Sequence, residues 1–198
     1  MRFWASVSLA LLLAVAAYAR LSAAAQTKPA LHRKFNELTL AGLRPGRDKA
    51  AKAMQLFGKP DFRSPDKRTL SWGFEGTEGA SYLSLEVDST EVVQSIRVSH
   101  GEGPSGVNLP KHSSFSVRTW ASGRGLALEA SISRVLQLYG APDSRSPSTK
   151  DGRKLELLYY AFDWAGSDVP QVMEVLCTVE DDGKPGRVVE ITLAAPSL

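Results

Sequence analysis

The stretch QLFGKPDFRSP, Gln55–Pro65, returns as QLYGAPDSRSP at Gln137–Pro147, with eight of eleven positions identical. A chain that writes one loop twice carries one supersecondary unit twice, and the flanks of the match say which unit. Upstream, Gly42–Met54 faces Gly125–Leu136, and each copy offers an N-cap candidate, Asp48 or Ser131. Apolar residues then follow at helical spacing: Ala50, Ala53, Met54 and Phe57 in the first copy, Ile132, Val135, Leu136 and Tyr139 in the second. Gly58 and Gly140 stand where a left-handed C-cap belongs, with Pro60 and Pro142 two residues on. The spacing predicts one short helix with a firm stop in each copy.

After the loop both copies switch to period two. LSWGF (Leu70–Phe74) corresponds to LYYAF (Leu158–Phe162), SYLSLEV (Ser81–Val87) to VMEVLCTV (Val172–Val179), and VQSIRVS (Val93–Ser99) to VVEITLA (Val188–Ala194). The second loop is longer by six residues. These patterns predict an α+β fold: two tandem units, each a helix followed by a three-stranded antiparallel sheet. The sheets would lie side by side or run on as one curved sheet, with the helices on one face. Residues 35–100 and 115–198 form the repeats, and the Gly-, Pro- and Ser-rich segment 101–114 reads as a linker.

The recurrent loop is expected to be a structural turn. Gly58, Pro60, Asp61 and Arg63, and their counterparts Gly140, Pro142, Asp143 and Arg145, reverse the chain from helix to strand in both copies. Gly supplies the left-handed dihedral, Pro bars helix continuation, and Asp caps local N–H groups. A catalytic Asp/Arg pair is the rival reading, that of a secreted hydrolase or carbohydrate-processing enzyme. Duplication speaks against it, because one active site needs only one copy.

The N-terminus sets the compartment. Arg2 precedes the apolar run Phe3–Ala19, and Ala23 and Ala25 before Gln26 make an A-x-A cleavage site, so residues 1–25 are expected to be a signal peptide and residues 26–34 a loose lead-in. Seventeen residues fall short of the roughly 20 that cross a bilayer; an uncleaved N-terminal anchor is the alternative. The expected location is periplasmic or extracellular.

Charge excludes one class of partner. Of 24 basic and 21 acidic side chains, Arg2 and Arg20 leave with residues 1–25, and near-neutrality gives no general field for nucleic acid. The charges are nonetheless segregated. Residues 28–68 hold 11 basic and 4 acidic side chains and 69–110 hold 1 and 6, while 111–154 hold 8 and 3 and 155–198 hold 2 and 8. Basic helix-and-loop halves and acidic strand halves predict a basic back, suited to peripheral contact with an anionic membrane or envelope surface, and an acidic sheet.

Signatures of chemistry are sparse. His32, His100 and His112 fall in or beside loops, and no metalloprotease, P-loop, CxxC or nucleophile-elbow motif is present. No cofactor and no metal site is expected. The single cysteine, Cys177, alternates in phase with Met173, Val175 and Val179, which places it on a core face as an inert thiol.

At LRPGRDKAAKAMQLFGKP the chain resembles the small outer-membrane-assembly lipoproteins of the SmpA/OmlA type, in which an apolar-x-Pro-Gly-x-Ser/Thr motif opens a helix that ends in Leu-Gly-x-Pro. Leu43, Pro45, Gly46, Asp48, Gly58 and Pro60 occupy those positions. Two such units in tandem also resemble the secreted β-lactamase inhibitory protein. The lipid-bearing Cys of the first family and the paired cysteines of the second have no counterparts here. The resemblance implies a non-catalytic protein-binding module, inhibitor-like or envelope-assembly-like. Strand alternation assigns its contact surface to the sheet face turned away from the helices, with Tyr82, Glu86, Arg97, Leu157, Tyr159, Glu174, Leu176 and Glu190 as the candidate partner-binding residues.

Overall fold

Both copies turn the repeated corner with the same bonds. In the computed structural model, which describes residues 35–76, 79–101, 120–162, 172–179 and 186–195, α1 spans Ala50–Phe57 and α2 spans Ile132–Tyr139. Gly58 (φ 79°, ψ −166°) and Gly140 (φ 82°, ψ −161°) close them in a region of backbone space that residues with a Cβ avoid. Their N–H groups donate to Met54 O and Leu136 O. Their carbonyls accept from the aromatic residue of the next long strand, Trp72 Nε1 and Tyr160 Oη, each at 3.1 Å. The Asp61 carboxylate accepts the Gly73 N–H at 2.9 Å, and Asp143 accepts Ala161 N–H at 2.7 Å. The corner recurs because it fastens helix, loop and strand with three interlocking bonds, each stabilising by about 1 kcal/mol.

The helices open differently. Ser131 caps α2, its hydroxyl accepting from Arg134 N. The N-cap of α1 is Lys49 and not the expected Asp48, whose carboxylate instead accepts Arg44 N and pairs with Lys52. Both helix starts dock on the neighbouring hairpin: Val93 N donates to Asp48 O and Ala50 N to Glu91 O, while Val188 N donates to Ala130 O and Ile132 N to Gly186 O.

The strands are β1 (Phe62–Arg63), β2 (Thr69–Gly76), β3 (Gly79–Val87), β4 (Val93–His100), β5 (Ser144–Lys150), β6 (Arg153–Ala161), β7 (Val172–Thr178) and β8 (Val188–Ala194). They form one sheet in the order β1-β2-β3-β4-β8-β7-β6-β5, antiparallel throughout. This overturns the expected α+β pair of helix-plus-three-strand units: the fold is mainly β, with the described residues forming a single eight-stranded sheet and two short helices. Two physical reasons account for the error. Strands β1 and β5 lie inside residues read as turn and loop, because an edge strand exposed on both faces needs no apolar alternation and tolerates Pro147. The last strands of the two copies also pair with each other, which no local pattern announces.

That central seam reads the same from either side. Ile96 opposes Leu193 and Val98 opposes Ile191, so a local twofold axis passes through the Arg97–Thr192 pair. A register shift interrupts equivalent places in both copies, at Glu86/Val87 and Leu176/Cys177.

The core lies between the helices and one face of the sheet. It holds Ala50, Ala53 and Phe57 of α1, Ile132, Val135 and Tyr139 of α2, and inward residues of every long strand from β2 to β4 and β6 to β8. Trp120 packs edge-on against Phe57 and Phe74, and Tyr139 packs at a tilt against Tyr160.

A buried polar network crosses this core. The Glu37 carboxylate, 3 % exposed, accepts Leu38 N, Thr39 N, Arg124 N and Tyr139 Oη at 2.7–3.1 Å. Tyr139 in turn lies 2.7 Å from Ser122 Oγ, which accepts Leu126 N. Gly123 fits against it only without a side chain, since a Cβ there would come within 2.5 Å of Thr39 Oγ1. Each member satisfies the next, so the network rigidifies the junction of the two copies.

Candidate functional site

The strand registers arrange the helix-free face in rows. One runs Gly73, Tyr82, Ser99, Glu190, Leu176, Leu157, Ser146; the next runs Ser71, Ser84, Arg97, Thr192, Glu174, Tyr159, Ser144; a third holds Thr69, Glu86, Ser95, Ala194, Val172 and Ala161. Seven of the eight candidate partner-binding residues therefore fall in two adjacent rows, and Glu86 lies in the third.

They are not equally available. Leu157, Tyr159, Glu174 and Leu176 form a half-buried quartet, Leu157 opposite Leu176 and Tyr159 opposite Glu174. Arg97 and Glu86 are exposed. Tyr82 is only 3 % exposed, and its near neighbours Ser71 and Ser99 are buried with it. The first half of the face is thus small, polar and enclosed, and the apolar, reachable half belongs to β6 and β7.

Charge on this face is already engaged. Glu190 accepts Lys150 Nζ at 2.6 Å and lies 3.4 Å from Arg97 Nε. Lys150 comes from β5, with β6 and β7 between it and β8, so the tip of the β5–β6 hairpin folds over the sheet. The Asp151 carboxylate and Arg153 guanidinium at that tip pass within 3.2 and 3.8 Å of where a Cβ on Gly101 would stand. The basic tip of this hairpin therefore meets the acidic strands directly.

The turn residues sit apart from this face in function. Asp61 and Asp143 are used by backbone N–H groups, as described, while Arg63 pairs with Glu91 at 2.7 Å and Arg145 with Glu156 at 3.5 Å. Each arginine takes a different partner in the two copies.

One constellation escaped the sequence. Ser81 Oγ lies 3.0 Å from His100 Nδ1, and His100 Nε2 lies 3.2 Å from Glu129 Oε1. No motif marks it, because the residues are 19 and 29 positions apart along the chain. It has the residue types of an acyl-transfer triad, but Ser81 is fully buried, so no substrate carbonyl can approach its hydroxyl. The approach of His100 to Glu129 is close in distance yet fails hydrogen-bond geometry. The arrangement ties β3 and β4 to the segment ahead of α2.

Cys177 is fully buried, and its thiol is pushed up to about 12, by burial first and then by the neighbouring Glu156 carboxylate. It is neither a ready nucleophile nor a ready ligand. Among the described residues no group of three or more His, Cys, Asp or Glu side chains is placed to hold a metal ion. Among the same residues no helix is long and apolar enough to cross a membrane. The signal-peptide segment 1–25, the lead-in 26–34, nearly all of the linker 101–114, and His32 and His112 lie outside the described residues.

No family model matches the chain, and no curated protein matches it. Solved structures similar to it include the following two. One is a DUF4309 family protein (YjgB) from Bacillus subtilis subsp. subtilis str. 168, at 13 % identity and a TM-score of 0.42, covering 81 % of this chain and 88 % of that one. The other is a cysteine-rich secretory protein (SAV1118) from Staphylococcus aureus subsp. aureus Mu50, at 13 % identity and a TM-score of 0.42. It covers 82 % of this chain, which spans about half of that protein's length (48 %). Neither is an outer-membrane-assembly lipoprotein or a β-lactamase inhibitory protein, and at this level of likeness neither carries an argument about fold or function.

Proposed function

We propose that this chain is an exported, non-catalytic protein-binding module whose contact surface is the β6–β7 part of the helix-free sheet face. One observation carries the reading. The quartet Leu157, Tyr159, Glu174 and Leu176 occupies positions that the first copy fills with Thr69, Ser71, Ser84 and Glu86. The first copy keeps polar side chains at these places, from buried Ser71 to exposed Glu86. The second has replaced them with two leucines and a tyrosine flanked by a carboxylate, the composition of a contact with an apolar centre and a polar rim. Tyr82, being enclosed, drops out as an anchor, and Arg97 with Glu190 acts at the margin. The partner surface is basic or mixed in charge, to match Glu174 within the quartet.

The test is affinity capture from the exported protein fraction with the native chain beside a Tyr159→Ala, Leu176→Glu variant of unchanged melting temperature. A protein held by the first and released by the second supports the face; equal retention by both removes it.

A further inference from the structure

A second surface stands on the other face of the sheet. Between α2 and the β5–β6 hairpin lies an open groove of about 670 Å3, with Ile132 and Leu136 on the helix side, Pro147 and Leu155 on the strand side, and half-exposed Val179 at its end. Arg145 and Glu156, paired with each other, also line it. One wall is β5 itself, a seven-residue strand that pairs only with β6 and leaves its other edge unpaired among the described residues.

The first copy lacks both halves of this arrangement. Its edge strand β1 has two residues, and the positions equivalent to Ile132 and Leu136 are Ala50 and Met54. The six-residue extension noted in the sequence is what lengthens β5 and β6 in the second copy. A unit that has a full edge strand, and Ile132 in place of Ala50 on the facing helix, has the two parts that strand addition requires: a backbone ladder to extend and a trough for alternate side chains.

We propose that the β5 edge and the α2 groove together bind an extended acidic peptide segment of a partner protein, which adds as a ninth strand with its alternate apolar side chains in the trough. Charge selects the acidic kind. Beyond the Arg145–Glu156 and Lys150–Glu190 pairs, α2, β5 and β6 carry Arg134, Arg153 and Lys154 and no further acid, against Asp151 alone in the turn between the strands. Pro147 has no N–H, so the ladder lacks one donor at mid-strand and the remaining specificity falls on trough and charge. The groove includes Ser146 from the helix-free face but none of Leu157, Tyr159, Glu174 and Leu176, so the two surfaces can fail independently.

The experiment follows backbone amide resonances of the native chain on titration with the peptide acetyl-Glu-Val-Glu-Val-Glu-Val-Glu-amide. Saturable shifts along Ser144–Lys150 and Ile132–Leu136 are expected, with affinity lowered about tenfold or more by Ser133→Trp, which fills the trough from an exposed position, and likewise by Arg145→Glu. The same peptide with lysine in place of glutamate should bind about tenfold more weakly. Absence of saturable shifts at millimolar peptide, shifts confined to Leu157, Tyr159, Glu174 and Leu176, or equal binding of the lysine peptide would overturn the proposal. Unaltered melting temperatures of the two variants ensure that their loss of binding is read at the groove.

Discussion

The two halves of the sheet share a skeleton and differ in what they show to the outside. Gly58 and Gly140, Asp61 and Asp143, Trp72 and Tyr160 make the same bonds in the same places. On the helix-free face, the first half carries Thr69, Ser71 and Ser84 where the second carries Leu157, Tyr159 and Glu174. At the outer edges a two-residue strand faces a seven-residue one. Positions fixed by backbone geometry are the same in both halves, while the face positions differ, and the second half shows more apolar, reachable surface there. Divergence against a retained frame locates the surfaces worth testing.

Three experiments bear on that comparison. The largest effect is expected at Glu37→Ala, since the network it anchors serves the second half through Tyr139 while the first half has Phe57 at the same place. Removing the carboxylate takes one acceptor from the Leu38, Thr39 and Arg124 N–H groups and leaves the buried Tyr139 hydroxyl with Ser122 alone, at about 3–5 kcal/mol in urea unfolding. A loss below 1 kcal/mol would mean that water replaces the carboxylate. Next come Gly58→Ala and Gly140→Ala. A Cβ on Gly58 meets nothing within 4 Å and the two share one backbone geometry, so each should cost about 1–3 kcal/mol and the two costs should agree. Unequal costs would show that the corners are not energetically equivalent.

The smallest effect is the response to alkali. Burial, and then the Glu37 carboxylate, hold the Tyr139 phenol well above its ordinary 10.0, and burial does the same to Tyr160. The folded chain then keeps these protons more tightly than the unfolded one. Their contribution to stability is complete below about pH 10 and falls as pH rises beyond it; for Cys177 the fall begins near 9.0 and runs through about 12. Phe57 and Trp72 stand at the Tyr139 and Tyr160 positions of the first half and do not titrate. Tyr139→Phe should flatten the alkaline decline by about 1.4 kcal/mol per pH unit above pH 10, and amide exchange should open the second half first. Opening of both halves together would dissolve the distinction.

The recurring corner was legible because its glycines, prolines and aspartates answer to dihedral angles and local N–H groups, which a short window of sequence contains. The long strands were legible from alternation. What stayed hidden depends on distance along the chain or on exposure. Strand β5 carries no apolar period because both its faces are open. Glu37 looks like an ordinary lead-in charge until Tyr139, 102 residues away, is folded against it. Tyr82 alternates as an outward residue and does point away from the helices, yet it is enclosed. Ser81, His100 and Glu129 meet only through the sheet register and the docking of the segment before α2.

The β4–β8 seam also sets an order of events. Every other ladder joins strands adjacent in the chain, whereas Ile96 must find Leu193 across 97 intervening steps. Each half's ladders can close on local loops, whereas the seam, like the Glu37–Tyr139 bond, is a long-range search, and a transition state that includes it is slow to reach. Until that search ends, β4 and β8 are open edges with alternate apolar side chains, each as able to pair with a neighbouring molecule as with its own. The interval before the seam closes is where this chain is most exposed to aggregation, and polypeptide concentration during refolding should govern its yield more than its final stability does.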